Sequence, residues 1–577
     1  MHDDEGLDDV DAGDVELVAL TGDPNPTALG QAAPQNKSSE LALVRARLFA
    51  RDNVGYLATY FTVGLVYGGL PATLYGVFNG VLNVQGYEYQ GVKALVTLPW
   101  SFKVFLGAMN DVAPLAGGYR RRPYMSIGWA LCALTLVLLA FLGLPEPYFC
   151  RDHDGSYIVE CTEKTAYHSI ACPNERSDGT QAEPCNARAP DSAGTISSLM
   201  ALAAFGYMVA DVAADGLTVT LAQTETQTIR GYTQTTAYLT RSVGMAISVA
   251  IVGLCMNGKI YNGTFAWSLS FSSICMIFAF AAVAMVPLTW KFVREDPVPQ
   301  SQRAKLGPYA KSAWQLMNAR HFAAVCAFSI LYSTVRSVES PATVLVTRYW
   351  AGVHNLQQKT ASLAGQLMFA LGLALVRRYL LNHSWRHLLI VTTVILIFVD
   401  AIFVFCTVFD VIRNQYFFLC DVLLELPTAV EFLVTTYYVV EAADAHNGGM
   451  VYGLLTTAHN IGLSLAPVIA NQIFGLFPMN LSDSANFIED STRFRKVVAG
   501  SYIIAYLFSV IAWAILPLLP NQKDQAQARK RTWGTSRSLA IAVTASLVLC
   551  FIYSVSTLLL TVFPATACLK FVGGPGC

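Results

Sequence analysis

The 577-residue sequence carries little charge: Asp, Glu, Lys and Arg make up 13% of it, against about 25% in ordinary soluble proteins. It lacks a Gly-rich phosphate loop before a Lys-Ser/Thr pair, which argues against an ATP-driven pump. It also lacks HExxH and paired CxxC motifs, and its N-terminus has no basic, then apolar, signal segment. The sequence therefore predicts no metal, no cofactor and no nucleic-acid partner.

The sequence is instead rich in long apolar runs. Apolar residues make up 54% of the chain, and runs of roughly 20 residues are long enough to cross a ~30 Å hydrocarbon core. We predict an all-α polytopic membrane protein embedded in a lipid bilayer. Its predicted spans are 56–78, 91–111, 124–144, 195–219, 233–256, 266–290, 321–347, 360–376, 388–409, 416–440, 450–476, 497–519 and 538–563.

The loops divide the chain into five predicted regions. Residues 1–36 hold nine acidic residues and no Lys or Arg, which is typical of a disordered tail. The predicted regions are an acidic cytoplasmic tail (1–52), an N-terminal six-helix bundle (53–290), a basic cytoplasmic linker (291–320), a C-terminal six-helix bundle (321–519), and a basic segment with a thirteenth helix (520–577). The last helix either spans the membrane, which we favour, or lies on its surface.

Basic loops place the N-terminus inside the cell. On this orientation the loop 145–193 is extracellular and contains four cysteines, which predict two disulfides with three possible pairings. The candidates are Cys150, Cys161, Cys172 and Cys185. The sequons at Asn262 and Asn480 also fall outside and are candidate glycosylation sites, and Cys568 could pair with Cys577 there.

The two bundles carry similar motifs in the same order. Pro71-Ala72-Thr73 matches Pro341-Ala342-Thr343, and Asp211 and Asp215 match Asp421 and Glu425. The interval from Gly231 to Gly244 equals that from Gly449 to Gly462. These matches predict a parallel six-plus-six repeat, the organisation of the major facilitator fold, with a substrate site between the halves.

Ionisable residues inside the N-terminal spans need partners or a water-filled cavity, because each costs at least ~2.5–3.5 kcal/mol in the bilayer. Asp211 and Asp215 share one helix face, and Arg241 is the expected counter-ion. They form either a static ion pair or a site where one carboxylate binds a proton or substrate. Lys103 either reaches the interface, pairs with the Asp211 region or meets an anionic substrate.

The C-terminal spans hold a second set of charges. Arg336 and Glu339 are three residues apart and either pair along one helix or bind substrate. The tenth span contains Asp421, Glu425 and Glu431, of which at least one should have a raised pKa; we favour Glu425. Asp400 and His459 are single polar residues and are interpreted as structural.

The stretch Pro99–Tyr124 begins with an intramembrane lysine and ends in a turn and three arginines. We interpret its inner end as a cytoplasmic gate formed by Gly107, Asp111, Arg120, Arg121 and Arg122.

This stretch resembles the signature of the folate–biopterin transporter family, a branch of the major facilitator superfamily found in protists, plants and cyanobacteria. Ala210–Gly216 is similar to the acidic fourth helix of that family, and Arg230-Gly231 followed by Arg241 and Gly244 gives a third match. The resemblance covers roughly 56–519. It implies a carrier of folates, pterins or, in some members, S-adenosylmethionine.

We therefore expect a monomeric secondary transporter and not an enzyme. Its expected partners are a folate-like or pterin-like solute and H⁺, with Lys103, Asp211, Asp215, Arg241, Arg336, Glu339 and Glu425 as candidate binding or coupling residues. We expect the plasma membrane, with an endomembrane as the alternative. The alternatives for function are a carrier of another organic solute, a transporter-like receptor that binds without transport, and an intramembrane hydrolase.

Overall fold

The structure is a computed structural model that describes residue 44 and residues 48–150, 185–222, 232–299, 305–380, 383–442, 448–574 and 576–577. Its thirteen main helical segments fall at the thirteen predicted spans. They are α1 (Val54–Val81), α2 (Gly86–Val112), α3 (Arg122–Leu142), α4 (Ala193–Ala222), α5 (Tyr232–Cys255), α6 (Phe271–Phe292), α7 (Arg320–Arg336, then Thr343–Leu345 and Val346–Trp350), α8 (Asn355–Leu375), α9 (Trp385–Val408), α10 (Gln415–Phe418, Leu419–Leu424 and Glu425–Ala442), α11 (Gly448–Phe474), α12 (Thr492–Leu518) and α13 (Arg537–Val562).

Ten of these helices, all except α7, α8 and α10, are long and apolar enough to cross a membrane. A helix satisfies its backbone hydrogen bonds internally, which is what an apolar solvent demands of a spanning segment. The connecting helix Leu306–Asn318 joins the two halves, and Lys523–Thr532 precedes α13.

The seventh span is not one continuous helix, which differs from the sequence prediction of a single span over 321–347. Its first helix ends at Arg336 and helical structure resumes at Thr343. Pro341 explains the break, because proline has no N–H to donate and disfavours helical geometry at the preceding residue. In α1 the matching Pro71 is accommodated inside a continuous helix.

The predicted repeat has a structural counterpart in these two helices. Each Pro-Ala-Thr motif is followed closely by a π-helical segment, Tyr75–Val81 in α1 and Val346–Trp350 in α7. Such segments are rare and often lie at functional sites. The two segments contact each other across the boundary between the halves, which is called the seam below.

The two halves are packed differently. The N-terminal half has one continuous apolar core, in which Trp129, Tyr60 and Phe278 are fully buried. The C-terminal half has two separate cores, one around Trp385 and the other around Trp350. Polar side chains also join helices of this half: Arg336 of α7 donates to Ser509 of α12, and Tyr506 of α12 donates to Asp400 of α9.

The two ends of the bundle differ chemically. Two disulfides, Cys150–Cys185 and Cys568–Cys577, lie at one end, called the disulfide face. Arg120–Arg122 lie at the other, called the arginine face. Of the predicted disulfide candidates, Cys161 and Cys172 lie outside the described residues.

The two candidate glycosylation sites are placed differently. Asn262 is only 3% exposed, and its carbonyl oxygen accepts a hydrogen bond from Asn355 N at 3.2 Å. This burial argues against a glycan at Asn262, contrary to the sequence prediction. Asn480 is partly exposed in a loop of the disulfide face, and glycosylation there stays a prediction.

Candidate functional site

Lys103 lies where α2 changes its geometry. Residues Leu98–Phe102 form a 3₁₀ segment that contains Pro99, and α-helix resumes at Lys103. The side chain of Lys103 is 6% exposed. Because a buried ammonium needs compensation by opposite charge, its partners decide what it does.

Those partners are the two aspartates of α4. Lys103 Nζ lies 2.8 Å from Asp215 Oδ2 and 3.0 Å from Asp211 Oδ2, while Arg241 Nη1 lies 4.0 Å from Asp211 Oδ1. Of the three alternatives for Lys103, pairing with the Asp211 region is the one observed. Arg241, the expected counter-ion, is the more distant of the two cations. These four residues are called the charge cluster below.

Small residues allow the backbones that carry these charges to approach closely. A Cβ added at Gly206 would lie 2.5 Å from Cys132 N, and one at Gly128 would lie 2.6 Å from Gly206 O, so α3 and α4 pack at near-backbone contact. Likewise, a Cβ at Gly64 would lie 2.0 Å from Arg241 O. The glycines of α1 and α3 therefore determine the positions of the helices that carry Asp211 and Arg241.

The members of the charge cluster differ in exposure. Asp211 is fully buried, whereas Asp215 and Arg241 are 20% and 21% exposed. Asp211 and Lys103 therefore form the fixed part of the cluster. Asp215 and Arg241 form its more exposed part.

Aromatic rings and hydroxyls surround the cluster. The Trp100 ring lies 4.7 Å from Lys103 Nζ, and the Tyr238 ring lies 4.8 Å from Arg241 Cζ, both within cation–π range. Tyr67 packs on Trp100 with ring centroids 4.8 Å apart. Tyr60, which sequence reasoning missed, donates its hydroxyl proton to Asp215 Oδ1 at 2.7 Å.

The charge cluster lies beside the seam. Asn460 of α11 donates its side-chain amide to Trp100 O at 3.1 Å, and Thr457 Oγ1 accepts from Val104 N at 3.3 Å. Tyr238 and Tyr452 join α5 to α11 through their hydroxyls, 3.4 Å apart. Hydrogen bonds therefore link residues next to the charge cluster directly to the C-terminal half.

The charges of the C-terminal half pair differently from the sequence prediction. Arg336 Nε lies 3.4 Å from Glu431 Oε1 and does not pair with Glu339, because Arg336 ends its helix and Glu339 follows the break. Tyr332 donates to Glu431 Oε1 at 2.9 Å. Sequence reasoning placed Glu431 in the membrane but had no signal for this pairing, which depends on how α10 rotates against α7.

The remaining C-terminal candidates are not part of that pair. Glu425 begins the last segment of α10 and packs against α8, where a Cβ at Gly365 would lie 3.0 Å from Glu425 Cγ. Asp400 accepts a hydrogen bond from Tyr506 at 2.7 Å. Glu339 is exposed. The structure therefore does not bring Glu339 and Glu425 to the charge cluster.

The predicted gate residues do come together at the arginine face. The carboxylate of Glu295, three residues beyond α6, accepts hydrogen bonds from the backbone N–H groups of Arg120, Arg121 and Arg122, each at 2.9 Å. The negative charge also lies at the N-terminal end of α3, where the helix dipole favours it. Burial lowers the pKa of Arg121, partly offset by Asp111 and Glu295.

These contacts stay within the N-terminal half and its linker. Gly107, also predicted in the gate, faces α4, where Val212 is its nearest neighbour. Tyr309 of the linker helix lies near Asp111, and burial raises the pKa of its hydroxyl to about 12. That these residues open and close a path stays a prediction.

The disulfide face is closed by contacts between the halves that sequence reasoning missed. Arg348 of the α7 π-segment is fully buried and donates to the backbone and side-chain oxygens of Asn79 in the α1 π-segment. Tyr75 donates to Val353 O at 3.0 Å, and Asn355 donates its side-chain amide to Met256 O at 2.9 Å. These contacts join the two halves at the disulfide face.

Comparison with protein families gives one match that covers the gate stretch and part of α1: residues 64–148 match the model of the BT1 family, the folate–biopterin transporters. The resemblance to the folate–biopterin transporter family is confirmed. No curated protein matches the sequence.

Solved structures show the fold. The nucleoside transporter NupG aligns with a TM-score of 0.50 at 13% identity, covering 81% of this chain and 99% of NupG. A point mutant of NupG gives 0.53 at the same identity and coverage. The inward-open xylose transporter XylE from E. coli gives 0.49 at 13% identity, covering 82% and 98%.

The fold is therefore that of the major facilitator superfamily, and the chain is an integral, multi-pass membrane protein. The folate–biopterin family and these structural relatives are transporters, not enzymes. Together they support a membrane transporter.

Proposed function

We propose that this protein is a secondary active transporter that moves folate or a biopterin-like pterin by alternating access, coupled to protons. The observation that carries the proposal is the charge cluster. It combines two carboxylates and two cations beside the seam, with aromatic rings packed around them, and two of its charges, Asp215 and Arg241, are partly exposed.

The chemistry of a pterin suits these side chains. Its ring amine and adjacent N–H can donate two parallel hydrogen bonds to one carboxylate, an arrangement stronger than separate neutral bonds. Asp215 is the more exposed carboxylate and so the better acceptor. The pterin ring can stack on Trp100 or Tyr238, and the glutamate tail of folate can pair with Arg241.

The shared lysine supports the proposed proton coupling. Lys103 lies within 3.0 Å of both carboxylates, so two acids share one positive charge. A proton on Asp215 would free Lys103 to pair with Asp211 alone. The geometry of the cluster would then differ between the protonated and ionised states, which is what coupling requires.

The test is uptake by the full chain in proteoliposomes, at two external pH values. The solutes are folate, biopterin, S-adenosylmethionine and an amino-acid mixture. We expect folate or biopterin to accumulate faster with an inward proton gradient, and Asp215→Asn to abolish that acceleration. Arg413→Ala, which removes an exposed ion pair to Asp410, is the matched control and should transport normally.

Three results would contradict the proposal in different ways. Uptake of S-adenosylmethionine alone would show that the substrate is an organic solute other than folate or a pterin. Saturable binding without uptake at either pH would make the protein a receptor. Wild-type uptake that Lys103→Ala and Asp215→Asn leave unchanged would show that the charge cluster is not the site.

A further inference from the structure

The thirteenth helix lies against both halves of the molecule. On the N-terminal side, the ring of Phe551 lies 4.8 Å from that of Phe102, the residue before Lys103. On the C-terminal side, Tyr553 accepts a hydrogen bond from the Gln472 side chain at 2.5 Å. α13 therefore covers the seam between α2 and α11 and contacts the segment that carries Lys103.

The start of α13 is fixed to the C-terminal half at the arginine face. Arg320 N donates to Gly534 O at 3.1 Å, and Ser536 N donates to Asn318 O at 2.9 Å. These are backbone bonds to the beginning of α7 and the residues just before it. They fix the start of α13 independently of the contacts that its side chains make.

The far end of α13 packs on the N-terminal half. A Cβ on Gly194 of α4 would lie 2.5 Å from Val562 O, and one on Gly91 of α2 would lie 2.8 Å from the Thr561 side chain. These two glycines thus let α13 approach α2 and α4 closely. The helix runs from one half at the arginine face to the other half at the disulfide face.

The tail that follows α13 lies over the contact between the halves. Tyr87, at the start of α2, donates its hydroxyl to Ala567 O at 2.8 Å. Gly573 packs on Asn471 near the end of α11, and Asn471 itself donates to Tyr87 O at 3.1 Å. The tail is buried at Val572–Gly574, and the Cys568–Cys577 disulfide closes it into a loop.

We propose that α13 and this tail, here called the C-terminal latch (Arg537–Val562 and the tail up to Cys577), hold the disulfide face closed. The proposal rests on the alternating-access part of the proposed function. Opening the disulfide face must separate the start of α2 from the end of α11. The latch contacts both, so one set of its contacts must break before that face opens.

The experiment measures amide hydrogen exchange of the full chain in lipid nanodiscs, without solute. Two variants weaken the latch: Tyr87→Phe removes one hydrogen bond to the tail, and the double substitution Cys568→Ser with Cys577→Ser opens the tail loop. Leu569→Ala changes an exposed tail residue and is the control. The peptides compared cover 86–91, 471–475 and 348–353.

We expect exchange in all three segments to rise about three- to tenfold in Tyr87→Phe, as the loss of one hydrogen bond allows, and further in the double variant. The segment 348–353 matters most, because it lies at the Arg348–Asn79 contact and not under the tail. A rise confined to 86–91 and 471–475 would mean local fraying and would overturn the proposal. Unchanged exchange in both latch variants would overturn it as well.

This outcome is separate from that of the transport assay. If no solute of the panel is taken up but exchange at 348–353 rises, the proposed function fails and the latch stands. If uptake is found and exchange is unchanged, the latch fails alone. If the double variant does not fold, Tyr87→Phe decides by itself.

Discussion

In the N-terminal half four charges on α2, α4 and α5 form one connected group, whereas in the C-terminal half Arg336 and Glu431 form a separate pair. The N-terminal group joins Lys103 to two carboxylates beside the seam. The C-terminal pair, Arg336 and Glu431, joins α7 to α10 within its own half. The two halves thus share the helices and the Pro-Ala-Thr motifs, but their charges are paired differently.

The two halves also differ in how their apolar cores are arranged. The N-terminal half has one continuous core, and its charge cluster lies beside the seam. The C-terminal half has two cores, and Arg336 and Glu431 join two helices of that same half. We therefore propose that the N-terminal half binds the solute, whereas Arg336 and Glu431 hold helices of the C-terminal half together. Four comparisons test this proposal.

The largest effect is expected from removing the shared lysine. Lys103→Ala leaves the fully buried Asp211 without its nearest cation, and breaking a buried ion pair typically costs about 3–5 kcal/mol. Arg336→Ala should cost less, about 1–3 kcal/mol, because Arg336 and Glu431 are both partly exposed. Thermal unfolding in detergent measures both. Equal losses would remove the distinction between the halves.

The next comparison uses two glycines that the repeat places at equivalent positions. A Cβ at Gly244 would lie 2.2 Å from the backbone oxygen of Phe61, which cannot move without shifting α1. At Gly462 the nearest atom is the hydroxyl of Ser333, which can rotate away, although Ile330 O follows at 2.7 Å. Overpacking typically costs about 1–3 kcal/mol, and we expect Gly244→Ala near the upper end and Gly462→Ala near the lower.

The same melting experiment decides this pair. Gly500→Ala is a suitable control, because a Cβ there would meet open space. If Gly462→Ala proves the more damaging, the close approach of α1 to α5 is not the tighter of the two contacts.

A third comparison removes one hydroxyl from each half. Tyr60→Phe deletes the hydrogen bond to Asp215, and Tyr332→Phe deletes the one to Glu431. Hydrogen bonds to charged groups are worth about 1.5–3 kcal/mol. Both variants should therefore unfold at a lower temperature, and by similar amounts. Only Tyr60→Phe should also alter the pH dependence of uptake. A matching change in Tyr332→Phe would give the C-terminal pair a part in coupling.

The sequence predicts the fold better than it predicts which charged side chains pair with each other. Apolar runs predict where the thirteen helical segments lie, and ten of these segments have the length and composition that the bilayer requires. Lys103, Asp211 and Asp215 can be selected because each is costly in hydrocarbon unless paired. Neither argument predicts that Lys103 bonds both aspartates, which depends on how α2 is rotated after its 3₁₀ segment.

Arg348 shows where the sequence argument stops. It lies at the end of a predicted span, where a basic residue is ordinary, and only the packing of two π-segments makes it fully buried. The contact with Asn79 joins residues 269 positions apart. A motif search within one span cannot reveal such a contact.

The smallest expected effect tests the pairing that the sequence predicted and the structure replaced. Glu339 is exposed beyond the break in α7, and Arg336 bonds Glu431. Glu339→Gln should therefore change the stability by less than about 0.5 kcal/mol, as is usual for surface substitutions. Glu431→Gln should destabilise the protein measurably, because it removes the charge that Arg336 and Tyr332 both bind. Thermal unfolding of the two variants side by side gives the answer: a larger loss for Glu339→Gln would restore the pairing along α7.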